Sequence, residues 1–208
     1  METVLILDFG AQYSQLIARR VREQNVYCEV KPCSISPDEI RKLAPIGIIL
    51  SGGPQSVYES VSLHVDPALF SLGVPVLGIC YGCQLMAYSL GGTVAAATEA
   101  TAREYGKTLT EFDTQSAIFH GLPASSVTWM SHGDYISQVP DGFTVTAKTA
   151  VCPTAAMACP EKKLYGVQFH PEVQHTVQGS EILRRFLYSV CGASGDWTMA
   201  DYRQTAIR

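Results

Sequence analysis

Cys80 stands inside the pentapeptide Gly78-Ile79-Cys80-Tyr81-Gly82, with an apolar run before it and a helical pattern after it. That is the strand-turn-helix setting of a nucleophile elbow, G-x-S-x-G with sulfur in place of oxygen. A very tight turn lifts such a residue above the sheet edge. The residues two before and two after it are forced into near contact, so both must be glycine. A helix starting at Tyr81 aims its free N–H groups and positive end at the sulfur, the setting in which cysteines become nucleophiles. The Tyr81 N–H can also donate to an oxyanion. The competing reading of the pentapeptide is a buried cysteine in a strand that simply runs into a helix.

A nucleophilic thiol needs a base. Gln168-Phe169-His170-Pro171-Glu172 follows an apolar run, Leu164–Val167. Pro171 keeps His170 out of the helical region. In extended chain, residues two apart share a face, so Glu172 can orient the imidazole and support its charged form. Alone, His-x-Glu is a weak signal that reads better as a solvated strand end; it gains weight only beside Cys80. Two glycines in Ser51-Gly52-Gly53-Pro54 let backbone N–H groups approach a ligand at a strand's C-terminal end. Gly53 is the candidate second oxyanion donor, and no Gly-Lys-Ser/Thr follows to make the loop a phosphate site. Trp129-Met130-Ser131-His132-Gly133-Asp134 reads as a polar loop after an apolar strand. His64, His120 and His175 lie in polar or turn contexts and read as surface residues.

These groups need a scaffold, and the first half of the chain supplies an alternation. Strands are expected at Val4–Leu7, Val26–Val30, Gly47–Leu50 and Val74–Ile79. A helix is expected from Gln12 to Glu23, another starting at Ser36-Pro37-Asp38-Glu39, a short one opening at Asp66-Pro67, and a fourth from Tyr81 to Leu90, stopped by Gly91-Gly92. Strand and helix at this spacing mean βαβ units, a mostly parallel sheet and helices on both faces. The second half shows short β-rich runs, Lys107–Phe112, Val127–Met130, Phe143–Lys148, Thr154–Ala158 and Leu164–Phe169, separated by turn clusters. They predict hairpins, as a mixed sheet or a small antiparallel layer. A last helix is expected over Val177–Val190, and the tail after Gly192 carries no core pattern beyond Trp197.

Composition bounds the function. The chain has 208 residues, 15 Lys+Arg against 19 Asp+Glu, and 47% apolar residues. That length suits one α/β domain with a large core. No basic excess exists to neutralise nucleic-acid phosphates. No apolar run reaches membrane-span length. The N-terminus lacks a signal-peptide pattern, so a cytoplasmic location is expected. Seven cysteines at positions 28, 33, 80, 83, 152, 159 and 191 form no zinc-finger spacing and no disulfide framework. Cys80 and Cys83 form a C-x-x-C, which keeps a redox-module reading open. No metal site is expected, and Cys152 and Cys159 have no assigned role.

GICYGCQ, SGGP, WMSHGD and FHPEV, in this order, resemble the class I (triad-type) glutamine amidotransferases. The opening LILDFGAQYSQLIARRVRE and the closing CGASGDWTM are similar to the glutaminase domains of the GMP synthase branch. The resemblance covers nearly the whole chain. It implies a flavodoxin-like three-layer α/β sandwich with a mostly parallel central sheet and a small antiparallel extension in the second half. It implies that Cys80 attacks the side-chain amide of L-glutamine to give a thioester, with His170 as acid/base, Glu172 orienting it, and Gly53 and Tyr81 forming the oxyanion hole. Gln84, Ser131, His132 and Gly133 would hold the substrate's α-amino and α-carboxylate groups. The ammonia would pass to a GMP synthetase ATP pyrophosphatase domain or subunit that converts XMP to GMP. No cofactor is expected in this chain; ATP and Mg belong to the synthetase.

Residues 1–192 would then form the glutaminase domain and residues 193–208 the start of a linker. No SGGVDS-type loop of a pyrophosphatase domain is present, so the polypeptide alone is expected to make ammonia and not GMP. Cys83 reads as helix packing. The alternatives are a γ-glutamyl or peptide hydrolase on the same scaffold, the redox module, or a silent domain that only regulates a synthetase.

Overall fold

The computed structural model describes residues 1–10, 13–53, 56–58, 64–97, 104–200 and 203. Gln12 at the expected helix start, Pro54 of SGGP, and the tail at 201–202 and 204–208 lie outside the described residues. In the first half, β1 (Thr3–Asp8), α1 (Ser14–Glu23), β2 (Tyr27–Pro32), α2 (Pro37–Leu43), β3 (Gly47–Leu50), β4 (Val76–Ile79) and α3 (Tyr81–Ser89) follow the expected alternation. Ser36 caps α2 by accepting from Glu39 N at 3.2 Å, with Pro37 in its first turn. Asp66 caps a single 3-10 turn, Pro67–Ser71, in the same manner.

The second half adds β5 (Thr93–Ala96), β6 (Glu104–Phe112), β7 (Ser125–His132), β8 (Asp134–Gln138), β9 (Thr144–Lys148), β10 (Ala156–Cys159), β11 (Leu164–Val167) and α4 (Gly179–Arg185). One nine-stranded sheet runs in the order β2-β1-β3-β4-β11-β10-β9-β6-β7. Its first five strands are parallel; β10, β9, β6 and β7 pair antiparallel, and so continue the main sheet. A separate two-stranded ribbon, β5 with β8, lies outside it. The mixed sheet and the small antiparallel layer both exist.

Period-two alternation divides the core between the two faces. Val4 and Ile6 of β1 pack with Ile17, Ala18 and Val21 of α1 and Ile182 and Leu183 of α4. Leu5 and Leu7 pack on the other face with Ile40 of α2 and Leu85, Met86 and Ala87 of α3. Three layers result. The last helix is shorter than its apolar stripe: after Arg185 the chain widens into a π-turn, closed by Cys191 N to Phe186 O at 2.9 Å. Beyond it, Ser194 donates to Glu2 at 2.9 and 3.0 Å, and Trp197 packs on Tyr27 at 5.8 Å between ring centroids.

The segment Trp129–Asp134 corrects an expectation. It is strand, not loop: Trp129–His132 end β7, and Asp134 starts β8. The polar side chains suggested a turn, but Ser131 and His132 sit in register with Tyr105 and Glu104. Only Gly133 is left between the two strands, and its carbonyl accepts from Ala97 N at 3.0 Å. The ribbon partner β5, missed in the sequence, follows from this placement.

Candidate active site

β4 lies between β3 and β11, and all three run parallel. Their C-terminal ends therefore open on one rim, and each carries a piece of the site. Cys80, directly after β4, adopts φ 53 and ψ −108. This positive φ is strained for a side chain with a Cβ, at a cost of about 1–3 kcal/mol. The surroundings enforce it: Cys80 N donates to Val167 O at 2.8 Å, and Cys80 O accepts from Gln84 N at 3.1 Å as the first bond of α3. A Cβ on Gly78 would stand 2.6 Å from Gly82 O, the near contact the turn requires. For Gly82 the reason is different from the one expected. Its Cβ would meet Leu50 O at 2.6 Å, so the neighbouring strand β3, and not Gly78 alone, demands glycine there.

The loop after β3 packs onto the sulfur. A Cβ on Gly52 would lie 3.5 Å from Cys80 Cβ and 3.1 Å from His170 Cε1, and only glycine lets the three groups close together. Gly53 rests against Phe9 O and the Tyr81 ring. Ser51, fully buried, locks this loop by accepting from Phe9 N and donating to Gly52 O, both at 3.2 Å.

His170 and Glu172 reach the same point from β11. His170 Nδ1 and Glu172 Oε1 are 2.6 Å apart, with both residues buried. Thr176 Oγ1 donates to His170 O at 2.6 Å, and His170 N donates to Trp129 O at 3.0 Å. Arg20 Nε donates to Glu172 O at 2.9 Å. Burial alone would lower the His170 pKa. The hydrogen bonds to Cys80 and Glu172, and the negative charge those groups carry, outweigh it and push the imidazole up to about 11.

The remaining expected residues divide. Gln84 is buried near the sulfur, its Nε2 donating to Asp134 O and to Gln168 Oε1, both at 3.1 Å. The Ser131 carbonyl faces Cys80 Sγ at 3.6 Å. The His132 ring is committed elsewhere: Nδ1 lies 2.8 Å from Asp134 O and Nε2 lies 3.2 Å from Glu104 Oε1. Sequence reasoning missed Gln168, whose Nε2 lies 3.6 Å from Cys80 Sγ, and Glu104, whose role only strand register reveals. Arg20 and Thr176 offered no signal at all. His64, His120 and His175 are exposed, as expected.

Glu104, His132 and Cys152 bring their ligand atoms within 4.8 Å of one another. Their chemistry is that of a satisfied core. Glu104 Oε2 accepts from Thr149 Oγ1 at 2.8 Å, and the Cys152 thiol donates to Thr154 O at 3.4 Å. Burial and the nearby Glu104 push that thiol up to about 12. Cys83 is fully buried, its sulfur packed so closely under Gly166 that a Cβ there would stand 2.6 Å away. Burial raises its pKa well above 9.0. A thiol held that way is packing, and a Cys80–Cys83 redox pair has no accessible second sulfur.

A family model described as glutamine amidotransferase class-I matches residues 5–190. The chain belongs to the class-I glutamine amidotransferase family. It is 58% identical over 207 residues to the GMP synthase [glutamine-hydrolyzing] of Caldanaerobacter subterraneus, covering 100% of this chain and 40% of the relative. It is 54% identical over 206 residues to that of Clostridium botulinum, covering 99% of this chain and again 40% of the relative. The chain thus spans well under half the length of these relatives. Among solved structures, a Thermoplasma acidophilum protein described as a candidate GMP synthase subunit superposes with TM-score 0.79 at 30% identity, over 100% of this chain and 98% of the other. A glutamine amidotransferase of Thermotoga maritima shares the fold, with TM-score 0.72 at 20% identity over 92% of this chain. Among the described residues of this amidotransferase, no helix is long and apolar enough to cross a membrane.

Two outcomes follow from the geometry. Gly82→Ala should destabilise the fold by about 3 kcal/mol, because Leu50 backbone must move. Gly91→Ala, with φ +93 but open space around the new Cβ, should cost only about 1 kcal/mol. Urea midpoints compare them, and equal losses would deny the clash its role. The His170 ring should keep imidazolium nitrogen shifts at pH 8 in NMR, and Glu172→Gln should bring its midpoint down toward the ordinary 6.5. Because the folded value is the higher one, this group's contribution to stability is complete below pH 6.5 and is lost as pH rises through about 11. Deprotonation near 6.5 in the intact chain would contradict the pairing.

Proposed function

We propose that this domain hydrolyses the side-chain amide of L-glutamine and supplies the ammonia to an ATP-dependent synthetase that converts XMP to GMP. The observation that carries the reading is the buried assembly of Cys80, on its strained turn, with His170 and Glu172. Family membership and the high identity to relatives named GMP synthase [glutamine-hydrolyzing] support it. The Cys80 thiolate attacks the amide carbon. The oxyanion forms against the N–H groups of Gly53 and Tyr81. The His170 imidazolium gives its proton to the leaving nitrogen, ammonia departs, and a thioester remains. Water then attacks while His170 takes its proton, the C–S bond breaks, and glutamate is released. Glu172 orients and supports the imidazolium throughout.

The substrate's backbone groups meet Gln84 and residues 131–133. Both amide hydrogens of Gln84 are engaged, so its Oε1 is the atom left to accept from the α-ammonium. Both His132 ring nitrogens are engaged too, so this segment serves through the backbone of Ser131, His132 and Gly133. Residues 1–192 carry the chemistry and residues 193–208 lead toward the synthetase, which is where ATP and Mg act. The cytoplasm is the compartment such a role implies.

Ammonia release from glutamine tests this. Cys80→Ser should abolish it and Cys83→Ser should retain it. His170→Ala should lower kcat by about 10³-fold and Glu172→Gln by about tenfold less, since orientation is lost but the base stays. Equal losses would reassign the two roles. Turnover of the chain alone should be slow and rise when a cognate synthetase, XMP and ATP are added. Identical rates with and without them would detach the domain from GMP synthesis.

A further inference from the structure

Gln168 follows β11 directly and is fully buried, between Val167 and Phe169 of the apolar core. Apolar packing does not ask for an amide there, and a buried amide left unpaired costs stability. Its partners fix which way it points. Gln84 presents one atom to the Asp134 carbonyl. A carbonyl only accepts, so that atom is nitrogen. The same nitrogen meets Gln168, which must therefore turn its oxygen toward Gln84 and its own nitrogen the other way. In that direction lies Cys80 Sγ, at 3.6 Å.

The sulfur then has three polar neighbours of different kind. The His170 imidazole pairs with it. The Ser131 carbonyl, at 3.6 Å, can only accept an S–H and so suits the thiol. The Gln168 Nε2 that faces the sulfur can only donate, and so suits the thiolate. We propose that Gln168 is a further catalytic residue: its side-chain N–H donates to the Cys80 thiolate, holding the sulfur for attack and stabilising it again when it leaves the thioester. The inference rests on Cys80 as the nucleophile. It also gives the Asp134–Gln84–Gln168 chain a purpose, since Gln84 both fixes this amide and faces the substrate.

The test reads the sulfur itself. Thiolate absorbance at 240 nm is followed against pH, as the difference between each protein and its Cys80→Ser counterpart. Gln168→Met, close in shape but without a donor, should move the midpoint to higher pH. Gln168→Glu, which brings a negative charge to the sulfur, should move it further. Both should lower kcat for glutamine by about tenfold or more, with a smaller effect on KM. Folded variants that keep the wild-type midpoint, or that lose only KM, would overturn the proposal. A third measurement needs no variant of Gln168: its side-chain amide proton should shift with the Cys80 titration in the intact chain, and an unresponsive amide would also overturn it. The titrations need no substrate, so their failure is distinguishable from failure of the functional reading, which ammonia release from glutamine tests.

Discussion

The backbone of Cys80 is held where an isolated cysteine would not stay, and the sheet around it supplies the force. β4 is flanked on both sides, and the turn after it is pinned from three directions: by Val167 O of β11, by Leu50 of β3, and by the first turn of α3. Each pin is a main-chain contact or a hydrogen bond that would have to break for the turn to relax. A strain of about 1–3 kcal/mol persists because relaxing it would cost more elsewhere. The sulfur is thereby fixed on the rim while remaining 6% exposed.

The second constraint is electrostatic. A protonated imidazole this deep would be expelled or neutralised without counter-charge. Glu172 supplies that charge through one oxygen at 2.6 Å, while its Oε2 has no hydrogen-bond partner among the described residues. A carboxylate with few other hydrogen bonds keeps its charge available to the histidine. Thr176 and Arg20 instead hold the backbone carbonyls of His170 and Glu172. Backbone anchoring and side-chain charge are thus assigned to different residues, so the dyad keeps its geometry without diluting its field.

Legibility in the sequence followed the range of the interaction. Gly78, Cys80 and Gly82 are close along the chain, and so are His170 and Glu172, so each set could be read from spacing. The inner parallel strands β3, β4 and β11 could be read because strands buried on both faces are apolar throughout. What spacing does not contain is strand pairing in the second half. β5 and β8 are joined by ladder bonds between segments far apart in sequence, and neither carries a long apolar run. The polarity of Ser131-His132-Gly133-Asp134 pointed to a loop because those residues serve as satisfied strand ends facing Glu104 and Gln84. Gln168 was visible inside the motif, but its amide acquires meaning only once Gln84 and Cys80 are placed beside it.

The topology explains why two halves of different character belong to one site. A parallel sheet alone could present Cys80 and the Gly52-Gly53 loop, but it would leave β4 at an edge. β11 closes that edge as the fifth parallel strand, and it is itself the end of an antiparallel hairpin with β10. The chain therefore crosses the whole antiparallel extension before returning to the rim with His170. On the way it leaves the Ser131 carbonyl 3.6 Å from the sulfur and the Asp134 carbonyl on Gln84, held by the Glu104–His132 pair and by the ribbon of β5 and β8. The extension is the route by which His170 and the Ser131 carbonyl arrive at Cys80, and shortening it would remove both together.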